Sequence, residues 1–174
     1  MAKHIVQWVT AGVIIVAVLG YFALQKVTIV IPNEIMVKAS VEDVFEYMTR
    51  QQGHKPNYKS VKVQSETEDE NGTVTRVKEI VEAIPIIAGF SRDISYTATS
   101  VITKPVKMES FVEMGVLSLH HVFHFQKEKN DLVRVIDRNE ITLARIIAEF
   151  TRRNADKSHK QILEAMKREL ESGK

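Results

Sequence analysis

Residues 36–48, MVKASVEDVFEYM, decide the fold because they join a short apolar strand to an amphipathic helix. Ser40 lies at the N-cap position, and Asp43 follows three residues later, at the capping-box position that Glu or Gln usually occupies. The apolar residues recur at i, i+3, i+4 and i+7, the spacing of one helical face. They are Val41, Val44, Phe45 and Met48. This stretch therefore predicts a helix over Val41–Gln52 with one buried face.

Downstream of this helix, apolar and polar residues alternate with a period of two, which indicates a sheet. Asn71-Gly72 predicts a hairpin, because a type I′ turn needs positive φ at both central positions. Further breaks are expected at Lys104-Pro105, Gly115 and Asn130-Asp131. Strands are predicted at 61–65, 73–84, 92–103, 107–114, 117–127 and 132–143, with an apolar corner at 84–90. The pattern predicts an antiparallel meander of six or seven strands.

Further elements are predicted on both sides of this sheet. The β-branched residues 27–31 predict a strand that Pro32 interrupts, and residues 34–39 predict a second short strand. The last 30 residues predict a long helix whose polar middle, residues 151–158, faces either solvent or a cavity. Its apolar positions are Ile146, Ile147, Phe150, Ile162, Leu163, Met166 and Leu170.

An uncharged segment near the N-terminus, IVQWVTAGVIIVAVLGYFALQ at Ile5–Gln25, is long enough to span a bilayer. A hydrocarbon core of about 30 Å needs about 20 helical residues. A cleaved signal peptide and a soluble helix are the alternatives, but signal-peptide apolar regions usually have only about 7–15 residues. The sequence therefore predicts a single-pass membrane protein. The side of the membrane stays open, because Lys3 and Lys26 nearly balance across the segment.

The element order and the motif at residues 36–48 resemble the START-like, or SRPBCC, helix-grip superfamily. The motif is similar to that family's apolar strand, small residue and acidic-x-Val-aromatic helix, although Ser40 or Val41 stands where the family often has Pro. His54 to Tyr58 resembles its segment before the second strand, without the usual Trp. The resemblance covers roughly residues 31–171. It implies a curved antiparallel sheet around a long C-terminal helix, with a cavity for a hydrophobic ligand between them.

The predicted fold class is therefore α+β, with an N-terminal transmembrane helix followed by a helix-grip domain. The predicted organisation is a tail at 1–4, an anchor at 5–25, a linker or first-strand region at 26–33, and a START-like domain at 34–172.

Composition and motifs exclude several functions. All 22 acidic residues lie at or beyond Glu34, and removing Lys3 and Lys26 from the 24 basic ones leaves 22, so residues 34–174 carry no net charge. This balance gives no electrostatic case for nucleic acid. The absence of cysteine excludes disulfides and thiol catalysis. No P-loop, dinucleotide fingerprint, serine elbow or EF-hand motif occurs, and no cofactor is predicted.

Histidines and charged residues on two strands are candidates for chemistry. His120 and His124 would lie about 13 Å apart on one face of a strand, too far to share one metal ion, and His121 would face the other side. No metal site or catalytic residue is therefore predicted. On the last strand the polar side chains are expected to lie on the solvated face of the sheet. They are Arg134, Arg138 and Glu140 on one parity, and Asp137 and Asn139 on the other.

Residues of one strand parity are expected to line the cavity that the resemblance implies. The strands would contribute Tyr96, Val112, Met114, Leu119, His121 and Phe123. The last helix would contribute Phe150, Asn154, His159 and Ile162. Four of these, Tyr96, His121, Asn154 and His159, could orient a polar head group.

These observations predict a membrane-anchored protein that binds a hydrophobic small molecule such as a lipid, a quinone or a polyketide-like compound. One alternative is a cyclase or dehydratase that uses the same cavity. Another is an interaction module without catalysis. The expected partners are the ligand and the membrane but not nucleic acid, and the oligomeric state stays open.

Overall fold

The computed structural model describes residues 17–51, 58–87, 90–115 and 117–172. The strands in these ranges are β1 (Lys26–Lys38), β2 (Tyr58–Glu68), β3 (Thr73–Ile87), β4 (Phe90–Thr103), β5 (Lys107–Met114), β6 (Leu117–Lys127) and β7 (Leu132–Ala144). The helices are α1 (Val41–Gln51) and α2 (Arg145–Ser172), and residues 17–24 are also helical.

The seven strands form one antiparallel sheet in the order β1-β7-β6-β5-β4-β3-β2. Strands β2 to β7 are a meander, and β1 pairs with β7 along its whole length, from Lys26 opposite Ala144 to Lys38 opposite Leu132. The meander and the long C-terminal helix that the sequence predicts are therefore confirmed. We call the face of the sheet that packs against α2 the inner face.

The predicted transmembrane anchor at Ile5–Gln25 is wrong, and so is the membrane localisation deduced from it. No helix in the described ranges is both long and apolar enough to cross a bilayer. The described part of this segment is helical at residues 17–24. Strand β1 begins directly afterwards, at Lys26. Residues 1–16, which include the rest of the predicted anchor, lie outside the described residues.

Strand β1 is continuous, although the sequence predicts two short strands separated at Pro32. Pro32 lies opposite Arg138 of β7 with an exposed side chain. In the described sheet β1 is at an edge and pairs with β7 alone. Proline cannot donate a backbone hydrogen bond, but an edge strand has one side on which none is needed. The edge position therefore explains why Pro32 does not end the strand.

Side-chain hydrogen bonds define the start of α1 and the turn between β2 and β3. The Asp43 backbone N–H donates to Ser40 Oγ at 3.0 Å, so the predicted N-cap of α1 is present. The predicted hairpin is present between β2 and β3, with its turn at residues 69–72, where Asp69 Oδ1 accepts hydrogen bonds from the backbone N–H groups of Asn71 and Thr73. Gly72 has φ of 76°, a conformation that glycine adopts without steric cost.

The main core lies between the inner face and both helices. It joins Val44, Phe45 and Met48 of α1 to Leu163 and Met166 of α2, together with apolar residues of the sheet. Phe45 and Phe125 pack edge to face, with ring centroids 5.6 Å apart. This core fixes the C-terminal half of α2 against the sheet. The cavity described next lies beside it.

Candidate functional site

A cavity of about 150 Å³ lies between the inner face and α2. Its strand residues are Tyr58, Lys78, Ile80, Tyr96, Ala98, Ser100, Ser110, Val112, Leu119, His121, Phe123, Asp137 and Asn139. Its helix residues are Met48, His159, Ile162 and Leu163. The wall is mostly apolar with a few polar groups, which is the usual composition of a small-molecule site.

Strand register arranges polar side chains in one row across the inner face. Arg76 lies opposite Ser100, Ser100 opposite Ser110, Ser110 opposite His121, and His121 opposite Asn139. Residues directly opposite each other in an antiparallel pair project from the same face. The Ser100 and Ser110 hydroxyl oxygens are 3.3 Å apart, within hydrogen-bonding distance. One side of the cavity wall is therefore polar.

Asp137 lies at the centre of a buried hydrogen-bond network. Its Oδ1 atom is 2.6 Å from His121 Nε2, and its Oδ2 atom is 2.7 Å from His159 Nδ1. A carboxylate only accepts hydrogen bonds, so both imidazole nitrogens donate to it. In neutral His159 the Nε2 atom is then an acceptor, and the Asn139 amide nitrogen at 3.1 Å donates to it. The network fixes the orientation of both histidines.

Two opposing effects set the pKa of Asp137. Burial raises the pKa of this carboxyl group, because a charge is poorly solvated inside the protein. The hydrogen bonds that His121 and His159 donate stabilise the carboxylate more strongly, so the pKa of Asp137 lies below its ordinary value. Asp137 is therefore a carboxylate at neutral pH, although its side chain has no solvent exposure.

The same three residues have the donor atoms of a metal site. The ligand atoms of His121, Asp137 and His159 all lie within 4.8 Å of one another. Two imidazoles and a carboxylate suit zinc or another divalent transition metal. The hydrogen bonds described above already satisfy the carboxylate without an ion. The cluster could thus hold a metal, or it could transfer a proton through the imidazole of His121.

Two further ionisable side chains line the cavity on β3 and β4. The Lys78 side chain is buried, and this burial lowers the pKa of its amine, as does the nearby positive charge of Arg76. The Tyr96 hydroxyl group donates to Glu82 Oε2 at 2.7 Å. Burial, followed by this hydrogen bond, raises the pKa of Tyr96 far above its ordinary value. Tyr96 is therefore a hydrogen-bonding phenol at neutral pH.

The structure brings most of the predicted site residues together. Seven line the cavity, namely Tyr96, Val112, Leu119, His121, Phe123, His159 and Ile162. Three do not. Met114 packs beside the small core of Ile80, Ala98 and Val112, Phe150 is 67% exposed, and Asn154 is exposed on α2. The ligand-binding role of all ten residues stays a prediction.

Asp137 and Asn139 are the cavity residues that sequence reasoning placed on a solvated face. Both are buried, with exposures of 0% and 2%. They share strand parity with the buried residues Val133, Val135 and Ile141, and this shared parity was the available signal. Polar residues within an otherwise apolar parity indicate an inward-facing site. The prediction was wrong because it relied on the polar residue types and did not use strand parity.

Known structures identify the fold. No family model and no curated protein matches the chain. It is similar to the di-domain ARO/CYC StfQ from the steffimycin biosynthetic pathway, with a TM-score of 0.65 and 12% identity over 83% of this chain and 52% of that one. It is also similar to a START superfamily protein from Mycobacterium smegmatis, with a TM-score of 0.57 and 12% identity over 83% and 99% of the two chains.

The chain has the START-like, SRPBCC-type fold. Norcoclaurine synthase from Thalictrum flavum is a further structural neighbour of this START-like domain, with a TM-score of 0.58 and 10% identity over 86% and 90% of the two chains. The domain spans about half the length of the di-domain structure that it matches. Identities of this size establish the fold alone. The resemblance predicted from residues 36–48 is thus confirmed.

Proposed function

We propose that this START-like domain binds a hydrophobic small molecule in the cavity between the sheet and α2. The observation that supports this proposal is a cavity of about 150 Å³. Its apolar wall includes Ile80, Val112 and Leu119, and it also contains buried polar groups. Ligand sites combine these two features, because apolar walls supply affinity and a few polar groups set orientation. One structural neighbour, norcoclaurine synthase, is described in complex with dopamine and hydroxybenzaldehyde, two small aromatic molecules.

The volume restricts the part of the ligand that the described residues enclose. An apolar protein cavity of about 150 Å³ holds a molecule the size of benzene. The enclosed part is therefore one ring or a short branched chain, which a quinone, a polyketide-like compound or a lipid could each supply. His121 and His159 lie where they would orient the polar end of such a molecule.

Replacing Val112 with Trp tests this proposal by filling the cavity. The bulky ring is expected to weaken binding of indole, a neutral ring-sized probe, by at least tenfold, as measured by NMR titration. Glu113→Trp is the matched control, because the neighbouring side chain is exposed and alternates to the other face. Indole binding of equal strength in both variants would show that this cavity is not the site. Thermal unfolding of each variant checks that it folds.

A cyclase or dehydratase activity is the second candidate, because Asp137 and His121 form a carboxylate–imidazole pair inside the cavity. A carboxylate that orients an imidazole supports its action as a general base. His121→Asn would then stop turnover without emptying the cavity. Native mass spectrometry of co-purified ligand is expected to show different ligand masses in the variant and the wild type if the domain is an enzyme. Equal masses indicate binding alone, and His120→Asn on the opposite face is the control.

A further inference from the structure

Lys78 is a buried lysine that has no counterion in the cavity among the residues that the structure describes. Its side chain is only 6% exposed and lines the cavity from β3. Strand register places it in a row with Ala98, Val112 and Leu119, which are all apolar. Among the residues that the structure describes, none forms a hydrogen bond or an ion pair with its ammonium group.

The carboxylates around Lys78 are already engaged elsewhere. Glu66 is hydrogen-bonded to Arg76, with 2.5 Å between Oε2 and Nε, and it affects Lys78 only through its longer-range charge. Asp137 accepts hydrogen bonds from His121 and His159. Buried lysines are almost always paired, because an ammonium loses its hydration inside a protein. The described residues therefore offer no anion for this cation.

A second buried group in the cavity also lacks a partner. Asn139 is 2% exposed and uses its amide nitrogen to donate to His159, but its Oδ1 atom has no hydrogen-bond partner among the described residues. Unsatisfied buried acceptors are uncommon in proteins, and each one calls for an explanation. Lys78 and Asn139 are thus two separate signs that a polar ligand completes this cavity.

We propose that Lys78 binds the carboxylate of the ligand, and that the ligand is a small hydrophobic carboxylic acid. This inference rests on the proposed binding function and names the chemical class of the ligand. A charge-assisted hydrogen bond from the ammonium would satisfy both ions, and such bonds are about twice as strong as neutral ones. The enclosed volume limits the acid to about one ring, for which 4-hydroxybenzoate is a suitable probe.

Calorimetric titration of two isosteric probes tests the charge of the ligand. Wild-type protein is expected to bind 4-hydroxybenzoate at least tenfold more tightly than the neutral 4-hydroxybenzamide. Lys78→Met keeps an apolar side chain of similar length without the charge. It is expected to lose this preference while it still binds the amide. Lys62→Met on β2 removes an exposed lysine and should leave both affinities unchanged. Undiminished binding of the acid by Lys78→Met would overturn the assignment.

The pH dependence gives an independent test. Carboxylate binding requires the ammonium form, so the affinity of wild type for 4-hydroxybenzoate, relative to that of Lys78→Met, is expected to fall as pH rises from about 7 to about 10. The other ionisable groups around the cavity are Tyr58, Tyr96, His121, Asp137 and His159, with Arg76 and Glu66 beside Lys78. These groups are the same in both proteins, so the difference between the two titrations isolates Lys78.

Two outcomes separate this inference from the binding function. If 4-hydroxybenzamide and indole bind but the acid does not bind more tightly, the carboxylate assignment fails and the binding function stands. If no probe binds to wild type, both fail. Covalent trapping of benzaldehyde on Lys78 by borohydride, with no preference for the acid, would assign the amine to imine formation instead and would also overturn the proposal.

Discussion

Replacing Asp137 with Ala is expected to lower the free energy of unfolding by about 3–5 kcal/mol, the usual effect of removing one partner from a buried charged pair. The substitution leaves the inward nitrogen atoms of His121 and His159 without their acceptor, at a position where the Asp137 side chain has no solvent exposure. It also removes the residue that orients both rings, so the Asn139–His159 hydrogen bond at 3.1 Å loses its support. Urea unfolding at neutral pH measures this loss.

Arg138→Ala is the matched control for Asp137→Ala. Arg138 is the next residue of β7, but its side chain is 59% exposed and pairs with Glu140 on the outer face. Surface ion pairs contribute about 0–1 kcal/mol, so a small change is expected. Comparable losses in the two variants would contradict the central role of Asp137 in the buried network.

The contribution of Asp137 also has an expected pH dependence. The pKa of Asp137 in the folded protein lies below the ordinary value of about 3.9. A lowered carboxyl pKa adds stability that is fully present above the unfolded-state pKa and is lost as pH falls through the folded-state pKa. The difference in unfolding free energy between wild type and Asp137→Ala should therefore shrink as pH falls below about 4. A difference unchanged at acidic pH would contradict the shift.

Replacing Met166 with Ala is the second large expected effect, a loss of about 2–5 kcal/mol in unfolding free energy. Met166 is fully buried where α2 packs against α1 and the sheet. Truncation removes apolar contacts and leaves a void that rigid strands fill only in part. Denaturant unfolding followed by circular dichroism measures the loss.

Ile146→Ala provides the control on the same helix. Ile146 is 69% exposed, so its truncation removes little buried area and should change the unfolding free energy by less than about 0.5 kcal/mol. The contrast would show that the buried contacts of Met166 stabilise the packing of α2. A loss at Ile146 as large as that at Met166 would indicate that the face of α2 with Ile146, Ile147 and Phe150 is covered in solution.

The sequence predicted the elements well where local chemistry determines them. The strand bounds Lys107–Met114 and Leu117–Lys127 match the structure, because breaks at Pro105, Gly115 and Asn130-Asp131 reflect local backbone preferences. The features that the sequence did not predict depend on contacts between residues that are far apart in the chain. Pro32 is tolerated because β1 is an edge strand, and the edge position depends on pairing with β7, far away in sequence. Helical periodicity also placed Phe150 inside, whereas it is 67% exposed and this part of α2 packs against the sheet through Ala148 and Ala155.

The candidate site was predictable in outline but not in its chemistry. Strand parity correctly grouped Val112, Leu119 and Phe123, because alternation follows from strand geometry alone. The pairing of Asp137 with His121 and His159 could not be predicted, because it depends on how α2 lies across β6 and β7. Lys78 was likewise missed, since lysine is rarely buried and its type alone indicates a surface position.

The pairing of β1 with β7 has a consequence for how the chain folds. Lys26 lies opposite Ala144, so the first strand finds its partner only after almost the whole sheet has been synthesised. The hairpins from β2 to β7 connect neighbouring segments. The β1–β7 contact instead closes a loop that contains α1 and strands β2 to β6. Closing a loop of this length costs chain entropy before any contact compensates for it. We therefore expect the domain to fold more slowly than a simple meander of the same length.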